Sequence, residues 1–89
     1  MIKISYSKRF TRLLKKRISS SKSFEETFFQ KIEIFSHYPF HPSLKTHKLS
    51  GNLDGYWSFS IEYNLRVIFY FNEDNNAVFA DIGTHDEVY

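Results

Sequence analysis

The chain has 89 residues, a formal net charge of +2 and no cysteine, which excludes a disulfide framework and a zinc site built on thiolates. A chain of this length is expected to form one domain over residues 1–89, and ten Phe, six Tyr and one Trp can fill its small core. No apolar run has the length of a signal or membrane segment, so we expect a cytoplasmic protein without a membrane partner.

The basic residues are concentrated at the start of the sequence. Residues 1–22 contain eight lysines and arginines and no acid, whereas residues 56–89 contain one arginine and six acidic residues. Such a block of positive charge favours a polyanionic partner, either nucleic acid or an acidic protein segment. A solvated helix face explains the same pattern, so charge alone leaves both interpretations open.

The first quarter of the sequence predicts a strand followed by a helix. Residues 1–6 alternate apolar and polar side chains, as a strand does. Ser7 is suited to cap a helix that begins at Lys8, with an apolar stripe on one face and cations on the other. The serine run at 19–21 is predicted to interrupt this helix.

A second helix is predicted to begin at a capping box formed by Ser23 and Glu26 and to end near His37. A loop with two prolines follows it. Four strands are then predicted, at residues 46–50, 56–62, 66–71 and 78–82. The three glycines are assigned to turns, with positive φ expected at Gly51 and Gly55.

These elements give the order β-α-α-β-β-β-β. We expect an α+β fold in which two helices pack on one face of an antiparallel sheet. The strand at 66–71 is apolar on both faces from Val67 onward and is placed at the centre of the sheet. Trp57 and Tyr63 are expected to share the face of their strand that meets the core. The predicted core contains Phe28, Ile32, Phe59, Ile61, Ile68 and Phe69.

Three blocks of sequence occur in a recognisable order. Residues 47–61 include the turn Leu-Ser-Gly-Asn-Leu, residues 65–71 begin with Leu-Arg-Val, and residues 82–89 read Ile-Gly-Thr-His-Asp-Glu-Val-Tyr. In this order and spacing the blocks resemble the toxins of bacterial toxin–antitoxin pairs in the RelE/ParE superfamily. The likeness is greatest to the RelE/StbE and YafQ branches, and it implies a RelE-like fold.

The resemblance implies an endonuclease that cleaves mRNA on the ribosome and needs neither a metal ion nor a cofactor. In this reaction a ribose 2′-hydroxyl attacks its neighbouring phosphate, which requires a base, a cation beside the phosphorane and an acid for the leaving oxygen. Arg66 matches an arginine that RelE-like toxins carry on the corresponding strand. It is suited to be the cation beside the phosphorane, because a guanidinium binds phosphate oxygens bidentately. His85 matches the acid, Tyr89 matches a residue that orients the base or phosphate, and His47 lies close to a catalytic histidine of YafQ-like members.

Other cations are expected to contact RNA, and two of them compete with His47 as the base. If His47 is not the base, Lys45 or Lys48 would have to supply it. The residues assigned to RNA binding are Lys45, Lys48, Arg9, Arg12, Lys15 and Lys16.

Two serines, Ser58 and Ser60, stand where the resemblance implies charged catalytic residues. Taken by itself, Arg66 is equally suited to a salt bridge with Asp81 or Glu62. The sequence therefore supports three interpretations. The first is a nuclease that acts on the ribosome and is neutralised by a cognate antitoxin in a hetero-oligomer. The others are a ParE-type toxin that binds DNA gyrase, and a catalytically weakened module that only binds an antitoxin.

Overall fold

Five β-strands and three α-helices make up the protein in the computed structural model, which describes residues 1–89. In chain order the elements are β1 Ile4–Tyr6, α1 Lys8–Ser20, α2 Lys22–His37, β2 His47–Lys48, β3 Trp57–Glu62, β4 Leu65–Phe71, β5 Ala77–Gly83 and α3 His85–Val88. The predicted element order is confirmed, and a short third helix is added to it. No helix combines the length and hydropathy that a membrane crossing requires.

The strands form one sheet in the order β1-β5-β4-β3-β2, with β4 at the centre as predicted. The pairs β2–β3, β3–β4 and β4–β5 are antiparallel, but β1 runs parallel to β5, with Ile4 opposite Ala77. The α+β fold is therefore confirmed, and the sheet is mixed rather than purely antiparallel. Both kinds of pairing show the same two-residue alternation, so only the path of the chain through the helices decides the direction of β1.

The two long helices share one serine at their junction. Ser7 caps α1 as predicted, and its hydroxyl accepts a hydrogen bond from the Phe10 amide at 3.0 Å. Ser21 ends α1 and also caps α2, where its hydroxyl accepts from the Phe24 amide at 3.2 Å. The predicted capping box at Ser23 is therefore wrong, because the helix begins before that residue.

Strand lengths differ from the prediction mainly at β2. Only two residues of the expected strand at 46–50 pair with β3. The chain then leaves the sheet through a 3-10 turn at Gly51–Leu53. Gly51 and Gly55 have φ of +64° and +91°, as expected, and these positive angles bend the loop back into β3.

The core lies between the sheet and the helices α1 and α2, and consists of fourteen buried apolar side chains. Phe35 of α2 occupies its centre, with its ring centroid 4.8 Å from that of Phe59 and 5.0 Å from that of Phe69. The predictions for Phe28, Phe59, Ile61 and Phe69 are confirmed. The seven phenylalanines of the core are Phe10, Phe24, Phe28, Phe35, Phe59, Phe69 and Phe79.

Four apolar or aromatic residues lie elsewhere than predicted. Ile32 is only partly buried at the edge of the core, and Trp57 is likewise packed against it. Ile68 is buried but does not belong to the core cluster, because it points to the opposite face of β4. Tyr63 is 98% exposed, since the turn between β3 and β4 carries it off the sheet.

Candidate functional site

The sheet has a second face, turned away from α1 and α2, which we call the open face. Phe59 and Val67 are buried in the core. Side chains alternate along a strand, so Ser58, Ser60 and Arg66 point to the open face. Of the residues that the sequence assigns to catalysis, Arg66 and His47 lie on this face, and His85 and Tyr89 follow the end of β5 next to Arg66.

Arg66 is a half-buried cation without an acidic partner. Its Nη1 donates a 2.8 Å hydrogen bond to Oγ of Ser60, its cross-strand neighbour. It takes part in none of the four ion pairs of the structure, so the alternative salt bridges to Asp81 and Glu62 do not form. Asp81 is instead 3.4 Å from Nε of Arg9, so this carboxylate is paired with another cation. The charge of Arg66 is thus left available to an anion.

His47 shares the open face because it is the cross-strand partner of Ser58. Its Nδ1 lies 3.0 Å from the carbonyl oxygen of Lys45. A carbonyl only accepts hydrogen bonds, so this contact places the proton of the neutral ring on Nδ1 and leaves the lone pair on Nε2. His47 is exposed, and its ring is therefore arranged as a proton acceptor.

The C-terminal segment, residues 84–89, begins directly beside Arg66. Arg66 is paired across strands with Gly83, and α3 packs against β4 and β5. A Cβ atom at Gly83 would lie 3.0 Å from Cβ of Glu87 and 3.1 Å from Cγ1 of Val88. The missing side chain thus lets α3 approach the end of β5. The expectation that every glycine serves a turn is wrong for Gly83, which ends a strand.

A capping box shapes the C-terminal segment. The Thr84 amide donates to Oε1 of Glu87 at 2.7 Å, and the Glu87 amide donates to Oγ1 of Thr84 at 3.3 Å. The hydrogen bond from the Thr84 backbone is the main reason that the pKa of Glu87 lies below its usual value, with smaller contributions from the Thr84 hydroxyl and Arg17. One turn of helix brings the rings of His85 and Tyr89 edge to face, with centroids 4.5 Å apart.

Tyr89 reaches towards the loop between β2 and β3. It lines a cleft of about 280 Å³ with residues 49, 50, 52 and 53 of that loop. Ser58 on the open face is fully buried, and its Oγ has no hydrogen-bond partner. A buried hydroxyl without a partner is unusual in folded proteins, and such groups often belong to sites where a ligand or water completes the hydrogen bonding.

The two lysines near β2 are placed differently. Lys45 and Ser60 line the same cleft, of about 210 Å³, so Lys45 lies close to the hydrogen-bond partner of Arg66. Lys48 is paired with Trp57, and its Nζ lies 5.9 Å from the centre of that ring on the other face of the sheet. Lys45 therefore shares a cleft with Ser60, whereas Lys48 lies on the face opposite to His47 and Arg66.

The cations of α1 form a separate surface. Arg12, Lys15 and Lys16 are exposed and make no ion pair, whereas Arg9 is held by Asp81. A groove of about 510 Å³ between β1 and α1 is lined by Tyr6, Lys8, Thr11, Arg12 and Lys15. Partial burial there raises the pKa of the Tyr6 phenol.

Sequence reasoning missed three participants of the site. Ser60 was considered only as a poor catalytic residue, and its contact with Arg66 was not foreseen. Gly83 was assigned to a turn. Glu87 was not assigned a role, although Thr84 and Glu87 have the spacing of a capping box, which predicts the start of α3.

The architecture is that of the RelE-like toxins, with helices packed on a five-stranded mixed sheet. The sequence profile of the YafQ family, described as bacterial toxins of type II toxin–antitoxin systems, matches residues 2–89. The chain therefore belongs to the YafQ toxin family, and the resemblance seen in the sequence is confirmed. No curated protein matches the sequence.

Solved structures share the fold at low sequence identity. A metal-bound toxin from Helicobacter pylori is 21% identical, with a TM-score of 0.80 and coverage of 100% of both chains. YafQ from E. coli is 19% identical, with a TM-score of 0.73 over 100% of this chain and 99% of that chain. A YoeB–YefM complex from Staphylococcus aureus is 20% identical, with a TM-score of 0.77 over 96% of this chain and 98% of that chain.

Proposed function

We propose that this toxin is a ribosome-dependent mRNA endonuclease whose reaction takes place on the open face around Arg66. The observation that carries the proposal is the unpaired state of Arg66. Its guanidinium is half-buried, has no carboxylate partner and is held by Ser60 on the same face as His47. A guanidinium in this state is suited to bind a phosphate through two parallel hydrogen bonds.

The reaction that fits these groups is a transesterification. His47 Nε2 accepts the proton of the ribose 2′-hydroxyl, and the 2′ oxygen attacks the adjacent phosphorus. Arg66 stabilises the extra negative charge of the phosphorane. The bond to the 5′ oxygen then breaks, and His85 gives that oxygen a proton while Tyr89 holds the His85 ring by its edge-to-face contact. The products are a 2′,3′-cyclic phosphate and a 5′-hydroxyl.

The same proposal includes two partners for the basic surface of α1. A cognate antitoxin with an acidic or amphipathic segment would neutralise the toxin in a hetero-oligomer, and ribosomal RNA phosphates would contact this surface during cleavage. Arg12, Lys15 and Lys16 are free of ion pairs and so offer charge to either partner. Reversing these three charges should weaken both complexes, and binding that is insensitive to salt and to charge reversal would contradict this part.

Induced expression followed by mapping of mRNA 5′ ends tests the nuclease proposal. The wild-type protein should arrest growth and create new 5′-hydroxyl ends in translated messages. Arg66→Ala and His85→Ala should abolish both effects, whereas Lys22→Ala, which removes an exposed cation at the start of α2, should not. Growth arrest with intact mRNA and inhibited DNA gyrase would favour the ParE-type alternative.

One observation favours a second candidate, a module that binds an antitoxin without cutting RNA. Ser58 and Ser60 occupy the strand positions nearest to His47 and Arg66, and neither hydroxyl replaces a charged catalytic group. If the protein binds its antitoxin tightly but neither arrests growth nor cleaves mRNA, this candidate replaces the nuclease.

A further inference from the structure

We infer that Arg17 of α1 is a positioning residue that holds the C-terminal segment in place through Glu87, and thereby sets the positions of His85 and Tyr89. The catalytic part of this inference rests on the proposed function. The structural part does not, because it concerns only which contact orders residues 84–89.

The contact joins two residues that are distant in the sequence. Nη2 of Arg17 donates a 3.0 Å hydrogen bond to Oε1 of Glu87, seventy residues away. It is the only side-chain hydrogen bond between residues 84–89 and the rest of the protein. The other polar side-chain contacts of the segment are local, namely the capping box at Thr84 and the 3.7 Å approach of His85 to Asp86.

The segment needs such a contact because little else holds it. The helix α3 has four residues and none of them is buried. A single helical turn does not persist by itself in water, because few hydrogen bonds offset the ordering of its backbone. The helix packs against β4 and β5, but it contributes little apolar surface, because Val88 is only partly buried and the other three residues of α3 are exposed.

Arg17 is partly buried and lies beside apolar side chains. Its side chain is about one-third exposed, at 32%. It lines a cleft of about 520 Å³ together with apolar side chains of α1, α2 and β4, namely Leu13, Phe24 and Leu65. Apolar walls of this kind can hold the methylene stem of an arginine while its charged head stays in contact with solvent or a partner.

Because α3 is a single turn of helix, a restraint on Glu87 also restrains His85 and Tyr89. Glu87 lies between His85 and Tyr89 in the same turn, and its Oε1 binds both the Thr84 amide and Arg17. A movement of Glu87 therefore turns the whole helix and shifts the His85 ring relative to Arg66. Displacement of a catalytic group by about 1 Å reduces a rate by up to about 100-fold.

A double-mutant cycle on the full-length protein tests the inference. Its variants are Arg17→Ala, Glu87→Gln and the combination of both. Glutamine at 87 still accepts the hydrogen bond from the Thr84 amide, so this variant removes the ion pair and keeps the cap. Arg17→Lys is the conservative variant, and Lys22→Ala is a matched control that removes an exposed cation with no partner.

The first measurement is the NMR spectrum of the isolated protein, which does not depend on activity. The Tyr89 ring shifts the resonances of the His85 imidazole at a centroid distance of 4.5 Å. We expect Arg17→Ala and Glu87→Gln to reduce this shift, the double variant to reduce it no further, and Arg17→Lys to retain most of it. An unchanged shift in both single variants would overturn the inference.

The second measurement is cleavage on ribosomes at saturating and at low toxin concentration. An exposed ion pair changes an equilibrium by up to about fivefold. We therefore expect each single variant to lose about two- to fivefold in the saturated rate, with unchanged half-saturation and no further loss in the double variant. If Arg17→Ala instead weakens binding to the ribosome, and does so also in the protein that already carries Glu87→Gln, then Arg17 acts as an RNA contact. If the NMR result holds but the wild type cleaves nothing, the positioning role stands and the nuclease proposal fails.

Discussion

Nη1 of Arg66 donates a 2.8 Å hydrogen bond to Oγ of Ser60 across the β3–β4 pair. Since the Ser60 hydroxyl accepts this bond, its own proton remains free to be donated. The remaining guanidinium N–H groups and the hydroxyl thus present several donors to the open face. A serine in place of a charged residue is consistent with catalysis if it supports the arginine instead of acting as a base.

Arg66→Ala should reduce cleavage by about 10²- to 10³-fold, because it removes the charge that stabilises the phosphorane. The melting temperature should change little, since Arg66 makes no ion pair. Arg66→Lys should also be impaired, because an ammonium cannot bind a phosphate bidentately. Single-turnover cleavage on programmed ribosomes measures these rates, and full activity of both variants would move the site away from the open face.

Ser60→Ala should have a smaller effect than loss of the arginine. A hydrogen bond from a charged group contributes about 1.5–3 kcal/mol, which corresponds to a loss of roughly 10- to 150-fold in rate. Ser60→Thr keeps the hydroxyl and should retain most of the activity. Equal rates for the alanine and wild-type proteins in the same cleavage assay would show that Ser60 does not support Arg66.

His47→Ala should lower the saturated rate by about 10²- to 10⁴-fold, the usual contribution of a positioned base. The reason is the hydrogen bond from Nδ1 to Lys45, which leaves Nε2 as the acceptor. His37→Ala is a suitable control, because His37 is also exposed and its ring hydrogen-bonds only to Glu33 on its own helix. If His47→Ala cleaves at the wild-type rate, the base must be sought in Lys45.

Phe69→Ala should destabilise the fold by about 3–5 kcal/mol through the cavity it leaves. Phe69 is fully buried and its ring meets that of Phe35 at 5.0 Å. Tyr63→Ala removes a side chain that is 98% exposed, so its effect should stay within about 0.5 kcal/mol. Urea denaturation measures both, and a loss below about 1 kcal/mol for Phe69→Ala would be incompatible with the packing at the centre of the sheet.

The order of residues 84–89 should depend on pH through Glu87. Hydrogen bonds from Thr84 lower the pKa of this carboxyl from its ordinary value of 4.5. The ionised form therefore stabilises the folded segment; the contribution is fully present above pH 4.5 and is lost as the pH falls through the lower folded-state value. An NMR titration of the Glu87 side chain should give a midpoint below 4.5, and a midpoint at or above it would contradict the cap.

Much of the fold was predictable because its signals are local. Ser7 caps α1 through a contact three residues away, and the alternation along β3 and β4 separates core from open face within each strand. The helix junction was misjudged because several serines in a row can each cap a helix. The choice of Ser21 depends on how α1 and α2 pack, which the serines themselves do not specify.

The candidate site was predictable in its residue types but not in its contacts. Arg66, His47 and His85 were recognisable by their chemistry and by the family resemblance. Arg66 hydrogen-bonds to Ser60 and not to Asp81. This choice depends on strand register and on Arg9, which forms the ion pair with Asp81. Strand register and the choice of ion-pair partner depend on packing between strands and helices. Neither can be read from the sequence of a single segment.

The sequence by itself determined the α+β class, the central position of β4 and the candidate reacting groups, because periodicity and functional-group chemistry belong to single segments. Only the tertiary structure decided the parallel pairing of β1, the burial of Ser58 and the contact between Arg17 and Glu87. These features join residues distant in the chain. Their energies depend on how whole elements pack, and a linear pattern does not record that packing.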